Sequence, residues 1–109
     1  MRTFSISYDL ADPARNKHAV ATAIMNLGNS WARPLETTWY VRANVPENEI
    51  CDELAPLLDA DDGLIVHAVD EKVALLNTSL RWFRRRESGQ DRAAAPNIIA
   101  FPVAEQVAA

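Results

Sequence analysis

The stretch Phe4-Ser5-Ile6-Ser7-Tyr8-Asp9-Leu10 alternates without a break between apolar and small or acidic residues. Successive side chains of an extended chain point to opposite faces, so Phe4, Ile6, Tyr8 and Leu10 form one face of a strand and Ser5, Ser7 and Asp9 the other. The first face requires a core. The second leads small hydroxyls to a carboxylate near the strand's end, which suits a second packed surface, a close backbone approach or a metal held at the rim.

Outward from this strand, Asp12-Pro13 is a helix start, with Asp12 as N-cap and Pro13 at the first helical position, where its missing N–H costs nothing. Val20, Ile24 and Leu27 then recur at helical spacing, and Gly28 closes the helix in the left-handed conformation that suits its C-terminal cap. Trp31–Glu36 and Thr37–Ala43 read as a hairpin or bent pair of strands, with Pro34 marking the former as an edge or bulged strand. A second helix opens at Asn44-Val45-Pro46-Glu47, carries Ile50, Leu54, Leu57 and Leu58 on one face, and kinks or ends at Pro56. Leu64–Val69 is almost uniformly apolar and reads as a central or well-covered strand.

The order β-α-β-β-α-β is the split arrangement of the ferredoxin-like α+β fold, an antiparallel sheet with both helices on one face. Its other face is left bare, and pairing with a second copy is the natural way to cover it. Val73, Leu76, Leu80 and Phe83 are spaced for a third helix over Glu71–Arg86, and Asn97–Phe101 is apolar enough for a short fifth strand. Residues 1–86 therefore read as one ferredoxin-like domain with a C-terminal helix, and 87–109 as linker and tail.

With 109 residues, 49% hydrophobic and 24% charged, the chain has the composition of one soluble domain. No apolar run approaches a membrane span, and Met1 leads almost directly into the first strand. The lone Cys51 excludes an internal disulfide, and the expectation is a cytoplasmic protein. A net charge of −4 argues against coating nucleic acid by bulk electrostatics, yet Arg81, Arg84, Arg85, Arg86 and Arg92 crowd one short stretch. With Trp82 and Phe83, Arg81, Arg84, Arg85 and Arg86 could bind RNA or DNA, gripping phosphates while the rings stack on bases. The competing reading is a helix end matched to its dipole, with the aromatics in the core.

The strand end Tyr8-Asp9-Leu10, the close at Leu27-Gly28, Trp31, and the run Leu35-Glu36-Thr37-Thr38-Trp39-Tyr40-Val41 occur together in order. That series resembles the small CRISPR-associated nuclease-like subunit of the spacer-integration complex, especially its stand-alone SinR-like relatives, and the related virulence-associated protein D. The resemblance implies a homodimer whose two first strands approach each other and bring the two Asp9 carboxylates near the dyad, where the small size of Ser5 and Ser7 suits close packing. It also implies a fifth strand soon after the fourth. In members with nuclease activity such a pair is thought to hold a divalent metal, so the expectation is Mg or Mn on Asp9 and phosphodiester hydrolysis of RNA or DNA. Other members serve as non-catalytic scaffolds that bind nucleic acid or protein.

Taken without the resemblance, Asp9 could simply cap a turn with Asp12 and Pro13. Ser5 and Ser7 have no assigned base, His18 reads as solvent-exposed, and His67 reads as half-buried and hydrogen-bonded. The acidic turn Asp59–Asp62 lacks the glycine position of a calcium loop and reads as solvated, and Cys51 as a small packing residue.

Overall fold

The computed structural model describes residues 1–70 and 72–85. Strand β1 (Arg2–Asp9) and helix α1 (Pro13–Met25) are followed by β2 (Ser30–Leu35) and β3 (Thr38–Ala43), then α2 (Glu47–Leu54) with a 3₁₀ turn at Ala55–Leu57, β4 (Gly63–Val69) and a short β5 (Phe83–Arg84). The strands pair antiparallel in the order β4-β1-β3-β2-β5. The protein is thus a small α+β fold with a five-stranded antiparallel sheet and two helices, compatible with the ferredoxin-like arrangement.

The alternation in β1 sorts as its side-chain period requires. Phe4, Ile6, Tyr8 and Leu10 are buried against Val20 and Ile24 of α1, Ile50 and Leu54 of α2, and Trp39 and Val41 of β3. Inside this core the Trp39 Nε1–H donates to the Tyr8 hydroxyl at 2.9 Å, which satisfies a donor that burial would otherwise strand. Asp12 occupies the N-cap position of α1 but its side chain makes no capping hydrogen bond, and α2 gives way to the 3₁₀ turn where Pro56 denies it a donor. Pro34 lies within the register shift between Ala32 and Leu35, a bulge where no ladder bond is needed.

Gly28 does not adopt the left-handed conformation expected at a helix end. The helix already stops at Met25 with Asn26 as its cap, and Gly28 serves a different need. A Cβ there would lie 2.1 Å from the Arg42 carbonyl oxygen, so the chain can enter β2 only because Gly28 has no side chain. A second difference concerns β4, which is an edge strand rather than a central one. Its apolar run is covered on one side only: Leu64, Val66 and Ala68 pack toward the core, whereas Ile65 is 65% exposed and His67 is exposed. His67 is therefore not half-buried, and Cys51 is exposed rather than packed.

The third helix expected over Glu71–Arg86 does not form: among the described residues, 72–82 run without regular structure into β5. Two physical reasons stand out. Asn77 has a φ of 61°, which interrupts any right-handed helix, and the supposed apolar stripe is not buried, since Val73 is 42% and Leu76 82% exposed. What organises this stretch instead is a set of partners distant in sequence. The Thr78 hydroxyl donates to the Pro34 carbonyl, Phe83 stacks on Trp31 at 4.6 Å, and Trp82, only 2% exposed, lies under the Arg42 guanidinium at 3.9 Å.

Residues 72–82 thus act as a strap leading from the β4 edge to the opposite edge of the sheet. Val69, Thr3, Arg42, Ser30 and Arg84 form a transverse row across all five strands on the face away from the helices. Trp82 covers that row's neighbourhood, so the face that the sequence leaves bare is partly roofed by the chain itself. The expected strand Asn97–Phe101, the 87–109 tail and Arg86 lie outside the described residues.

Trp82→Ala should lower stability by about 3–5 kcal/mol, the cost of emptying a large buried site. Leu76→Ala should change it by less than about 0.5 kcal/mol, as an exposed position does. Chemical denaturation of the two variants checks this, and a helical 71–86 would require Leu76 to be the costly one.

Candidate functional site

Asp9 stands at the last position of β1, paired with Gly63 at the start of β4. It is exposed, and among the described residues no hydrogen bond or ion pair engages its carboxylate. The turn-capping role that aspartate often takes at such a place is therefore not the one it plays here. The register Ser7↔Thr38, together with the Tyr8 N–H donating to the Thr37 carbonyl at 3.2 Å, brings the β2–β3 turn alongside the end of β1.

The result is a hollow of about 330 Å³ whose rim carries Asp9, Lys17 of α1, Arg33 of β2, and Glu36 and Thr37 of the turn. Arg33 is held in place. Its Nε and Nη2 both donate to the Glu36 carbonyl, at 3.0 and 2.8 Å, while its guanidinium lies 4.6 Å over the Trp39 ring. Two carboxylates and two cations from four elements thus share one concavity. Such a set offers hard oxygen donors to a divalent cation and positive groups to an anion. Among the described residues no three His, Cys, Asp or Glu side chains gather as a metal cluster.

Lys17, Arg33 and Glu36 were not singled out by sequence reasoning. The available signal was register. Once β1 and β3 pair through Ser7 and Thr38, the turn residue Glu36 must fall beside Asp9.

The serines lie on the sheet face opposite the helices. Ser7 Oγ shares a 3.3 Å hydrogen bond with Thr38 Oγ1, and Ser5 sits between Tyr40 and His67. The arginine run divides. Arg85 is committed, its N–H donating to the Asn29 carbonyl at 2.9 Å and its Nη1 to the Asn26 carbonyl at 3.2 Å, where a cation meets the negative end of the α1 dipole. Arg81 lies 5.6 Å over the Phe83 ring, and Arg84 is exposed opposite Ser30. With Trp82 buried and Phe83 stacked on Trp31, these aromatics are not displayed as a platform for bases.

Below the hollow, the acidic turn is structured rather than merely solvated. Asp62 Oδ1 accepts the Ala11 N–H at 2.8 Å, and Oδ2 accepts the Asp59 N–H at 2.8 Å and Asn16 Nδ2 at 3.0 Å. Asn16 Nδ2 also reaches the Leu57 carbonyl, at 2.9 Å, while its buried Oδ1 has no partner among the described residues. One carboxylate therefore ties the exit of β1, the first turns of α1 and the entry to β4. The Asp59 N–H foremost, then the Ala11 N–H and the Asn16 amide, holds the Asp62 carboxyl below its ordinary range. Arg15 does the same for Asp59 through a two-pronged ion pair, with Nε to Oδ2 at 2.8 Å and Nη2 to Oδ1.

Because both carboxyls titrate lower in the folded state, their stabilisation is complete above the unfolded value of about 3.9 and is lost as pH falls through the folded values. Asp62→Asn replaces an acceptor by an amide whose N–H₂ opposes the Asp59 N–H or the Ala11 N–H. Thermal melts should show a Tm several degrees lower near neutral pH and a shallower decline toward pH of about 3 than the parent protein.

Neither a known protein-family model nor a curated protein matches the chain. Among solved structures, that of a hypothetical protein, TT1823 from Thermus thermophilus, aligns with a TM-score of 0.55 at 21% identity, over 70% of this chain and 90% of that one, a likeness of fold.

Proposed function

We propose that the protein is a metal-dependent phosphodiesterase acting on RNA or DNA as a homodimer, with Asp9 as the residue that holds Mg²⁺ or Mn²⁺. The observation that carries this reading is the unengaged Asp9 carboxylate on the rim of a hollow that also presents Glu36, Lys17 and Arg33. Asp9 and Glu36 supply oxygen donors of the kind such a cation takes, and a hydrated divalent ion needs few of them. The metal would supply a lowered water pKa and charge neutralisation at the scissile phosphate. Lys17 and the clamped Arg33 are placed to hold a phosphodiester by its non-bridging oxygens.

A second copy enters because one protomer offers so few carboxylates. Support for it comes from β4, an edge of seven residues, Gly63–Val69, with no proline and no charged side chain to discourage pairing. The half of the hydroxyl face bearing Ser7 and Asp9 lies at the opposite end of β1 from the row near Trp82, and Ser5 and Ser7 are small enough for a close approach there.

A second reading is a non-catalytic homodimeric scaffold that binds nucleic acid or protein. The exposure of Arg81 and Arg84 favours it.

The deciding measurement is cleavage of labelled single-stranded RNA and duplex DNA with Mg²⁺, Mn²⁺ or EDTA. Metal-dependent cleavage should fall about 10²-fold in Asp9→Asn, with Glu36→Gln also impaired. Light scattering should report a dimer that Ile65→Lys dissociates. Absence of cleavage, or equal cleavage by Asp9→Asn, leaves the scaffold reading, in which replacing Arg81 and Arg84 abolishes nucleic-acid binding.

A further inference from the structure

A second cavity, of about 370 Å³, lies at the other end of the sheet between the face bearing Thr3 and the strap. Thr3 and Asp9 are six residues apart on β1, about 20 Å in an extended strand, so this cavity is separate from the hollow described above. Its walls are apolar where the strap closes it, with Val73, Leu80 and Trp82 facing Val69. Its polar lining comes from Thr3, Tyr40, His67, Asp70 and Lys72.

The side chains of Tyr40, His67 and Lys72 make no hydrogen bond or ion pair with another described residue, whereas the one carboxylate of the lining is engaged: Asp70 Oδ1 accepts the Lys72 backbone N–H at 3.2 Å. A phenol, an imidazole and an ammonium group, all able to donate, therefore line one space whose remaining walls are largely apolar. The volume is in the range of small-molecule sites, and a few convergent polar groups in an apolar pocket are what fixes such a ligand's orientation.

We infer that this cavity is a binding site for a small aromatic anion, a planar ring bearing one carboxylate or phosphate. The ring fits between Val69 and the strap's Leu80 and Trp82, and the anionic group meets Lys72, with Tyr40 and His67 as further donors. A flat body fits the gap between a sheet face and a chain laid across it. Carboxylate and phosphate share the chemistry of the acceptor, and the experiment separates them.

The test is titration of the full chain, followed by amide and indole NMR shifts, with indole-3-acetate and adenosine 5′-monophosphate as probes. Indole and adenosine serve as their uncharged counterparts, and inorganic phosphate as the anion without a ring. Saturable shifts at Val69, Leu80 and the Trp82 indole are expected with at least one aromatic anion, and which of the two binds identifies the head group. Lys72→Met should weaken that probe about tenfold or more while leaving the uncharged counterpart unchanged. Leu80→Trp, which fills the chamber, should abolish binding while the fold persists by circular dichroism. The inference is overturned if neither aromatic anion saturates, if the uncharged compounds bind equally well, or if Lys72→Met binds like the parent. Cleavage by Asp9 plays no part in these readouts, so its presence or absence leaves the result unaffected.

Discussion

Antiparallel pairing of β1 along both of its edges is the constraint on which the remaining structure depends. From Arg2 to Ser7 it pairs with β3, and from Thr3 to Asp9 with β4. A strand so placed must bury one face completely, and the alternation from Phe4 to Leu10 allows that in one register only. A slip by one residue would turn Ser5, Ser7 and Asp9 into the core. The same register then decides where function can reside, because it sets Asp9 opposite Gly63 and beside the β2–β3 turn. Asp62 reinforces the arrangement from below by joining three chain segments through backbone and side-chain donors.

The local elements were legible because their determinants are local. Pro13 after Asp12, the apolar spacing of Val20 and Ile24, the β-rich run Thr38–Val41 and the break at Pro56 each act within a turn or two of chain. The strap was not legible for the opposite reason. Val73, Leu76, Leu80 and Phe83 satisfy a helical spacing, but what decides their conformation is the unpaired edge of β2, the ring of Trp31, the Pro34 carbonyl and the guanidinium of Arg42. All four lie in earlier parts of the chain. Gly28 misled in a similar way, since its sequence position suits a helix cap while its real constraint is the Arg42 carbonyl across the sheet.

Legibility of the candidate site followed the same division. Asp9 could be picked out from its place at the end of an alternating strand. Lys17, Arg33 and Glu36 belong to a helix, a bulged strand and a turn, and only the pairing of β1 with β3 collects them. The arginine run showed the limit of composition. Four arginines next to two aromatic residues suggest a single surface, yet Arg85 is spent on a helix terminus and Trp82 faces inward.

The strap also bears on how the molecule opens. β5 holds the sheet through two residue pairs, joining Ser30 and Trp31 to Arg84 and Phe83, more than 50 residues further along the chain, so loop closure opposes its docking more than that of any hairpin. With only two pairs against the seven that join β1 to β4, such an element detaches from the native state before the long ladders do. Its amides would then exchange with solvent through a partial opening that leaves β1 and β3 intact, and the row from Val69 to Ser30 would be uncovered without unfolding the core.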